Sequence, residues 1–340
     1  MKTRNTVIAF MQTFGIILVV IGHSFYERMP NPVASWIYSF HMPLFFYISG
    51  FLFCSSCKRR NIPIDEIPLF GKDSIIVSKA QRLLVPYLFI STIAFYLKNL
   101  FSNLAVRPID GTFDEYFLML FFPYSNVICF YWFLPCLFLV FLFFVIIAKI
   151  VRPNINVLLF IIAIDLFVHI SEDFFLNLDG VLFYMQFFVL GYVSSLHNWH
   201  KVIMEKCLPI AIVTIILSII IFQVSAKVHL DNKNIISSVN GILMSVSLGC
   251  LYDKYKCKFF NHLFGASYMI YLYSWFVQTI CFQFVYEIFH IPFKIVFCCA
   301  IISSIYIPLI LHLWLNRGVM TRLKIIIAFV SGMKLIRHTK

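Results

Sequence analysis

Residues 12–53 read QTFGIILVVIGHSFYERMPNPVASWIYSFHMPLFFYISGFLF and place two histidines, His23 and His41, inside apolar sequence. A short polar break separates the two apolar runs. An ionisable side chain within an apolar span is costly and is by default a candidate for function. The two histidines are therefore the first candidates for a functional site.

The composition indicates a membrane protein. Of the 340 residues, 61% are hydrophobic and only 12% are charged, whereas soluble domains usually carry about 25% charged residues. The apolar runs are close to the length that spans a bilayer as a helix. We predict an all-α polytopic integral membrane protein with about ten transmembrane helices, at residues 7–26, 35–56, 83–101, 128–148, 155–171, 181–196, 207–226, 235–252, 263–285 and 293–315.

The basic residues predict the orientation of these helices. With ten spans, 21 of the 27 Lys and Arg residues fall on the side of the N-terminus, which predicts that both termini are cytoplasmic. This placement explains the net charge of +12 without a nucleic acid partner. We predict one membrane domain at 1–320 and a basic amphipathic cytoplasmic tail at 321–340, with membrane lipid as a partner of the tail.

The loop between His23 and His41 is short, so the two helices that carry them should be antiparallel neighbours. Both imidazoles would then lie at similar depth in the outer half of the bilayer. Glu27 follows His23 by four residues, on the same helix face, and could orient its imidazole as an acid orients a catalytic histidine. Pro43 is expected to loosen the second helix near His41. The alternative is that each histidine only hydrogen-bonds a neighbouring helix.

The segment that leads into the third span carries Lys79 and Arg82. One interpretation is an anion site at the cytoplasmic side, because the planar guanidinium makes paired hydrogen bonds with phosphate. The other is that these residues only determine topology.

Other polar and aromatic residues give weaker signals. Trp132 is either an anchor in the interfacial aromatic belt or a stacking platform for a sugar ring. Asp165 and His169 are four residues apart and could pair with each other. Cys54 and Cys57 form a lone CxxC without a second ligand pair, so we predict no metal site.

Several segments together resemble acyltransferase family 3, a family of membrane O-acyltransferases, and in particular its branch of enzymes similar to fucose 4-O-acetylases and surface-glycan O-acetyltransferases. The specific segments are Gly15–Ser24 and the block Ser39–Phe46 with Ile48–Phe53. Arg82–Tyr87 also matches, with weaker similarity at Trp132–Pro135, Phe188–Tyr192 and Gly265–Leu272.

The resemblance implies a membrane O-acetyltransferase of the bacterial cytoplasmic (inner) membrane. It would move an acetyl group from cytoplasmic acetyl-CoA to a hydroxyl of a surface or lipid-linked polysaccharide, of the O-antigen or exopolysaccharide type. The implied cofactor is acetyl-CoA as a co-substrate, without a metal. The implied site has His23, His41 and Glu27 as catalytic residues, Gln12, Lys79 and Arg82 as donor-binding residues, and Tyr38 and Trp132 as acceptor-binding residues.

The resemblance also sets an expectation that this chain does not meet. The position eleven residues before the catalytic histidine is usually basic in the family, but here it is Gln12. The alternative function is a non-catalytic transporter or flippase of a lipid-linked glycan, which would use the same polar residues without chemistry. A polymerase of lipid-linked glycan units, and a structural subunit that has lost activity at Gln12, are further alternatives. Transfer from labelled acetyl-CoA separates the enzyme from all three.

Overall fold

The computed structural model describes residues 5–25, 31–71, 74–104, 107–167, 175–227, 234–317 and 321–333. These residues are helical, with no strand among them, which confirms the predicted fold class. Within them, eight helical segments are long and apolar enough to cross a membrane: Thr6–His23, Pro32–Arg60, Ile75–Leu100, Cys129–Ile150, Phe175–Leu196, Cys207–Val224, Ile235–Lys254 and Phe293–Asn316.

Helices also occupy the two remaining predicted spans, but they are shorter or irregular. The span at 155–171 corresponds to the helix Ile155–Phe167, and the span at 263–285 to the helix Ser267–Thr279, which continues as a π-helix over Ile280–Tyr286. The α-helices in chain order are α1 (Thr6–His23), α2 (Pro32–Tyr38), α3 (His41–Arg60), α4 (Ile75–Lys79), α5 (Val85–Leu100), α6 (Phe113–Phe121), α7 (Phe133–Ile150), α8 (Ile155–Phe167), α9 (Leu178–Leu196), α10 (Trp199–Glu205), α11 (Cys207–Lys227), α12 (Ile235–Lys254), α13 (Ser267–Thr279), α14 (Phe293–Asn316) and α15 (Arg322–Val330).

The chain forms two compact units. The first unit contains Met1–Pro63, Val151–Ala163 and Phe183–Tyr271, and the second contains Ile64–Ile150, Ile164–Leu182 and Leu272–Lys340. The candidate histidines lie in the first unit, and Lys79, Arg82 and Trp132 lie in the second.

In the first unit, α1, α3 and α12 pack against one another, and α11 packs against α2 and α12. The contact between α3 and α9 is the closest, because each helix presents a glycine to the other. A Cβ added at Gly50 would lie 1.9 Å from the carbonyl oxygen of Phe188, and one added at Gly191 would lie 1.9 Å from that of Tyr47. Small residues allow membrane helices to approach in this way.

The second predicted span is not one regular helix. Residues 35–56 were expected to form it, but the chain is α-helical over α2, breaks at Ser39 and Phe40, and resumes as α3. The break is held by α12, because the hydroxyl of Ser238 donates to the carbonyl of Ser39 over 2.9 Å. The ring of Phe40 also lies against Gly241. His41 is consequently the first residue of α3 and lies directly after the break in the second span.

Pro43 lies in the first turn of α3, just after this break. It has no N–H for the carbonyl of Ser39, four residues earlier, and its ring would clash with that carbonyl in a continuous helix. Pro43 therefore favours the break beside His41.

In the second unit, the third predicted span begins earlier than residue 83. A continuous helical segment runs over Ile75–Leu100 and contains a π-helical turn at Ala80–Leu84. The predicted loop at 102–127 contains α6, which packs against α5. The hydroxyl of Tyr87 donates to the carbonyls of Met119 and Leu120 over 2.8 and 2.9 Å and ties the two helices together.

Candidate functional site

The two predicted histidines are brought together by the ends of three helices. His23 is the last residue of α1, Tyr38 the last of α2, and His41 the first of α3. The ring centroid of Tyr38 is 5.4 Å from that of His23 and 5.3 Å from that of His41. Tyr38 therefore contacts both imidazoles, which makes the cluster a triad of rings.

The two imidazoles differ in exposure. His41 is 4% exposed, whereas His23 and Tyr38 are half-buried. A ligand that comes from the surface would therefore meet His23 and Tyr38 first, and His41 lies deeper in the protein.

A hydrogen bond fixes the tautomer of His41. Its Nδ1 lies 2.9 Å from the carbonyl oxygen of Ile37. A carbonyl oxygen only accepts, so Nδ1 carries a proton and donates it. In the neutral imidazole the other nitrogen, Nε2, is then the one with a free lone pair. His41 is thus oriented by the backbone with Nε2 as its basic atom.

His23 contacts a side chain of the cluster. Its Nδ1 lies 3.4 Å from the hydroxyl of Tyr38. The hydroxyl can donate or accept, so this contact is compatible with either tautomer. Where Tyr38 donates, His23 carries its proton on Nε2 and can give a hydrogen bond from that atom.

Gly22 allows Tyr38 to approach α1. A Cβ at this position would lie 2.8 Å from Cε1 of the Tyr38 ring. The residue before the histidine thus has a packing role, and the Tyr38–His23 contact depends on it.

Gln12 lies on the same helix as His23. Eleven residues are close to three whole turns, so the two side chains share a face of α1 about 16 Å apart along its axis. Gln12 is half-buried. The helix could therefore align a group near Gln12 with one near His23, but not bring them into contact.

Three further predicted site residues, Lys79, Arg82 and Trp132, lie in the second unit. The Nζ of Lys79 lies 3.5 Å from the centroid of the Phe141 ring, a cation–π contact,. Arg82 is exposed within the π-helical turn. The ring of Trp132 lies 5.6 Å from that of Tyr124 and is half-buried. These positions leave the predicted donor and acceptor roles as predictions.

Two predicted partners lie outside the described residues. Glu27, the expected orienting acid for His23, is one, and His169, the expected partner of Asp165, is the other. Among the described residues, no group of three or more His, Cys, Asp or Glu side chains is arranged to hold a metal ion.

Sequence reasoning gave no weight to a third histidine of the first unit. The Nδ1 of His200, in α10, is buried and has no hydrogen-bond partner among the described residues. Its ring packs edge-to-face on Phe51 with centroids 5.3 Å apart. Burial lowers the pKa of His200 below its usual 6.5, and the charges of Lys201 and Lys58 lower it further. A histidine between Trp199 and Lys201, outside the predicted spans, gave no sequence signal for this environment.

The fold and the ring cluster define a polytopic helical membrane protein with a pair of imidazoles at the ends of two spans. Comparison with protein families then gives the class of chemistry. The model of an acyltransferase domain, acyltransferase family 3, matches residues 6–313, and the chain belongs to this family. It is a multi-pass membrane acyltransferase. No curated protein and no solved structure matches the chain.

Proposed function

We propose that the protein is an O-acetyltransferase of a bacterial cytoplasmic membrane, which moves an acetyl group from acetyl-CoA to a hydroxyl of a surface or lipid-linked polysaccharide. The family supports the acyl transfer. The observation that carries the proposed chemistry is the hydrogen bond from Nδ1 of His41 to the carbonyl of Ile37, because it leaves Nε2 of an oriented imidazole available as a base.

This hydrogen bond changes the roles that the sequence suggested. His23 was expected to be the general base and His41 its helper. The backbone carbonyl of Ile37 orients His41, so we assign the base to Nε2 of His41. His23 lies beside the hydroxyl of Tyr38 and would donate from Nε2–H to the oxygen that gains negative charge. Such pre-oriented donors are a main source of stabilisation in acyl transfer.

The proposed reaction forms one bond, breaks one bond and moves one proton from the acceptor hydroxyl to CoA. Nε2 of His41 takes the proton of the acceptor hydroxyl while the hydroxyl oxygen forms a bond to the carbonyl carbon of the thioester. The carbon–sulfur bond then breaks, and the thiolate of CoA leaves with the proton from His41. The acceptor keeps the acetyl group as an ester. Tyr38 would contact the acceptor, as the sequence predicted.

The donor would be held by its phosphates. Arg82 is exposed and presents a planar fork that suits phosphate,. The ammonium group of Lys79 lies on the ring of Phe141. We propose Arg82 and Lys79 as phosphate contacts of the donor, and Gln12 as a position that adds no charge.

Substitutions at His41 test the proposal. In reconstituted protein, transfer from labelled acetyl-CoA to a glycan acceptor is measured for His41→Asn and His23→Ala. The amide nitrogen of asparagine can replace Nδ1 as donor to Ile37, but asparagine has no atom in place of Nε2. We expect His41→Asn to keep the wild-type melting temperature and to lose activity by about 10²- to 10⁴-fold, as general bases contribute.

The acceptor is tested in cells. Proton NMR of the surface polysaccharide, from cells with and without the protein, should show O-acetyl signals that depend on it and on His41. Normal acetylation in His41→Asn would refute the assignment of the base. A wild-type protein that does not consume acetyl-CoA would favour the non-catalytic glycan carrier.

A further inference from the structure

The π-helical turn that carries Arg82 has a cause in the sequence. The N–H of Val85 donates to the carbonyl of Ala80, five residues earlier, where an α-helix would pair residues four apart. Pro86 follows. Proline has no N–H, and its ring clashes with the carbonyl of the residue four positions before it, which is Arg82. The carbonyls of Gln81 and Arg82 therefore receive no hydrogen bond from residue 86, and the turn widens around them.

The end of the C-terminal helix lies against these two carbonyls. A Cβ added at Gly332 would lie 2.6 Å from the carbonyl oxygen of Gln81 and 2.8 Å from that of Arg82. Gly332 also has a φ of +60°, which side chains other than glycine rarely adopt. Both the space and the backbone conformation thus require glycine at this position.

Other contacts fix the C-terminal segment, residues 321–333, in the second unit. The hydroxyls of Ser331 and Tyr273 lie 2.8 Å apart. The ring of Phe329 packs edge-to-face on Phe89 with centroids 6.0 Å apart. At the other end of α15, Nζ of Lys324 donates to the carbonyl of Arg317 and lies 4.8 Å from the centroid of the Trp314 ring.

This segment lies beyond the part of the chain that the family model matches, which ends at residue 313. It nevertheless touches the turn whose residue Arg82 we assign to the donor. If the π-turn closed to an α-helix, the residues before it would rotate by roughly 100° relative to α5, since each residue of an α-helix advances by that angle. The direction of Arg82 therefore depends on what holds the turn open.

We propose that the C-terminal segment is a positioning element for the acyl-CoA site, in which Ser331 anchors the segment to Tyr273 and the backbone at Gly332 packs on the π-turn, so that the turn keeps its shape and Arg82 stays directed at the phosphates of the donor. The proposal rests on the proposed function in one respect, that Arg82 binds the donor. The coupling between Gly332 and the turn stands on geometry alone.

The experiment compares Gly332→Ala with Gly71→Ala in the full-length protein. Gly71 also has a positive φ, +105°, but no atom lies within 4 Å of the position that its Cβ would take. The pair thus separates backbone strain from the loss of the contact. Two measurements are made: hydrogen exchange of the amides at 80–85, and the affinity for CoA by titration calorimetry.

We expect Gly332→Ala to speed exchange at 80–85 by about tenfold, because local stability sets exchange. We also expect it to weaken CoA binding by about tenfold, the loss of a hydrogen bond to a charged group. Gly71→Ala should change neither quantity. If Gly332→Ala does not fold, Ser331→Ala, which removes the hydroxyl contacts with Tyr273 and with the carbonyl of Ile327, should give the same pattern with smaller changes.

Any other result would refute one part of the proposal. Unchanged exchange in Gly332→Ala would refute the coupling. Faster exchange with unchanged CoA affinity would refute the positioning role and leave a packing contact. A wild-type protein that does not bind CoA would refute the proposed donor, while the exchange measurement would still test the coupling.

Discussion

Replacing Gly50 with alanine tests the closest helix contact in the first unit. The new Cβ would lie 1.9 Å from the carbonyl oxygen of Phe188, whereas real Cβ atoms essentially never come closer than 3.0 Å to such an atom. The neighbour is backbone and cannot rotate away, so α3 and α9 must separate by at least about 1 Å, a distance that close-packed interiors do not absorb freely.

The separation would also stretch hydrogen bonds between the same helices, two of which join hydroxyl groups. The hydroxyls of Tyr47 and Ser194 are 2.7 Å apart, and those of Ser55 and Ser195 are 2.9 Å apart. Overpacking costs about 1–3 kcal/mol, and each interhelical hydrogen bond contributes about 0.6 kcal/mol in membrane proteins. The expected loss is therefore about 2–4 kcal/mol, which would lower the melting temperature by several degrees.

The assay is thermal unfolding in detergent, followed by the monodisperse fraction on size exclusion. Ser194→Ala is the matched control, because it removes one of the hydrogen bonds and leaves the backbone contact intact, and it should cost about 0.6 kcal/mol. A melting temperature of Gly50→Ala equal to that of Ser194→Ala would refute the close approach of the two helices.

Three further substitutions follow from the site and its surroundings. Gly22→Ala should push the ring of Tyr38 away and break its contact with His23, which at 3.4 Å is already long. The resulting fall in kcat should be about fivefold, which corresponds to the free energy of one hydrogen bond, and an unchanged kcat would refute the role of Tyr38. Gln12→Arg should lower KM for acetyl-CoA with little change in kcat, and an unchanged KM would show that this position does not affect the donor. The pKa of His200 is lowered in the fold, so its imidazole binds a proton more readily in the unfolded protein. The contribution of the neutral His200 to the free energy of unfolding is therefore fully present above about pH 6.5 and is lost as the pH drops below that value. His200→Gln should flatten this fall between pH 7 and 5 in thermal unfolding, and an identical slope would contradict the buried state of the imidazole.

The helices could be predicted from sequence because apolar runs of bilayer length have few alternatives in a membrane. The break at Ser39 and Phe40 had a local signal in Pro43, which has no N–H for the carbonyl of Ser39, but its form depends on Ser238 and Gly241 of α12, which are about 200 residues away in the sequence,. The break matters for the site, since it makes His41 the first residue of α3.

In the candidate site, too, some features could be predicted from the sequence and others could not. The pairing of His23 with His41 follows from a short loop between two apolar runs, and the sequence contained that information. The position of Tyr38 between them depends on the close approach at Gly22, and the tautomer of His41 depends on which backbone carbonyl its ring meets. Neither has a sequence pattern, because both are decided by distances of a few tenths of an ångström.

For the π-turn, the sequence indicated where the helix would be disturbed but not which form the disturbance would take. Pro86 alone predicts a disturbed helix four to five residues earlier, and Arg82 lies at that place. Proline leaves the carbonyls of Gln81 and Arg82 without its N–H, but it does not determine whether the helix kinks, ends or widens. The backbone of Gly332 lies against those carbonyls and leaves no room for the chain to kink in its direction. A local signal at Pro86 and a distant glycine are both needed to specify the turn, and the same pair would then specify where Arg82 points.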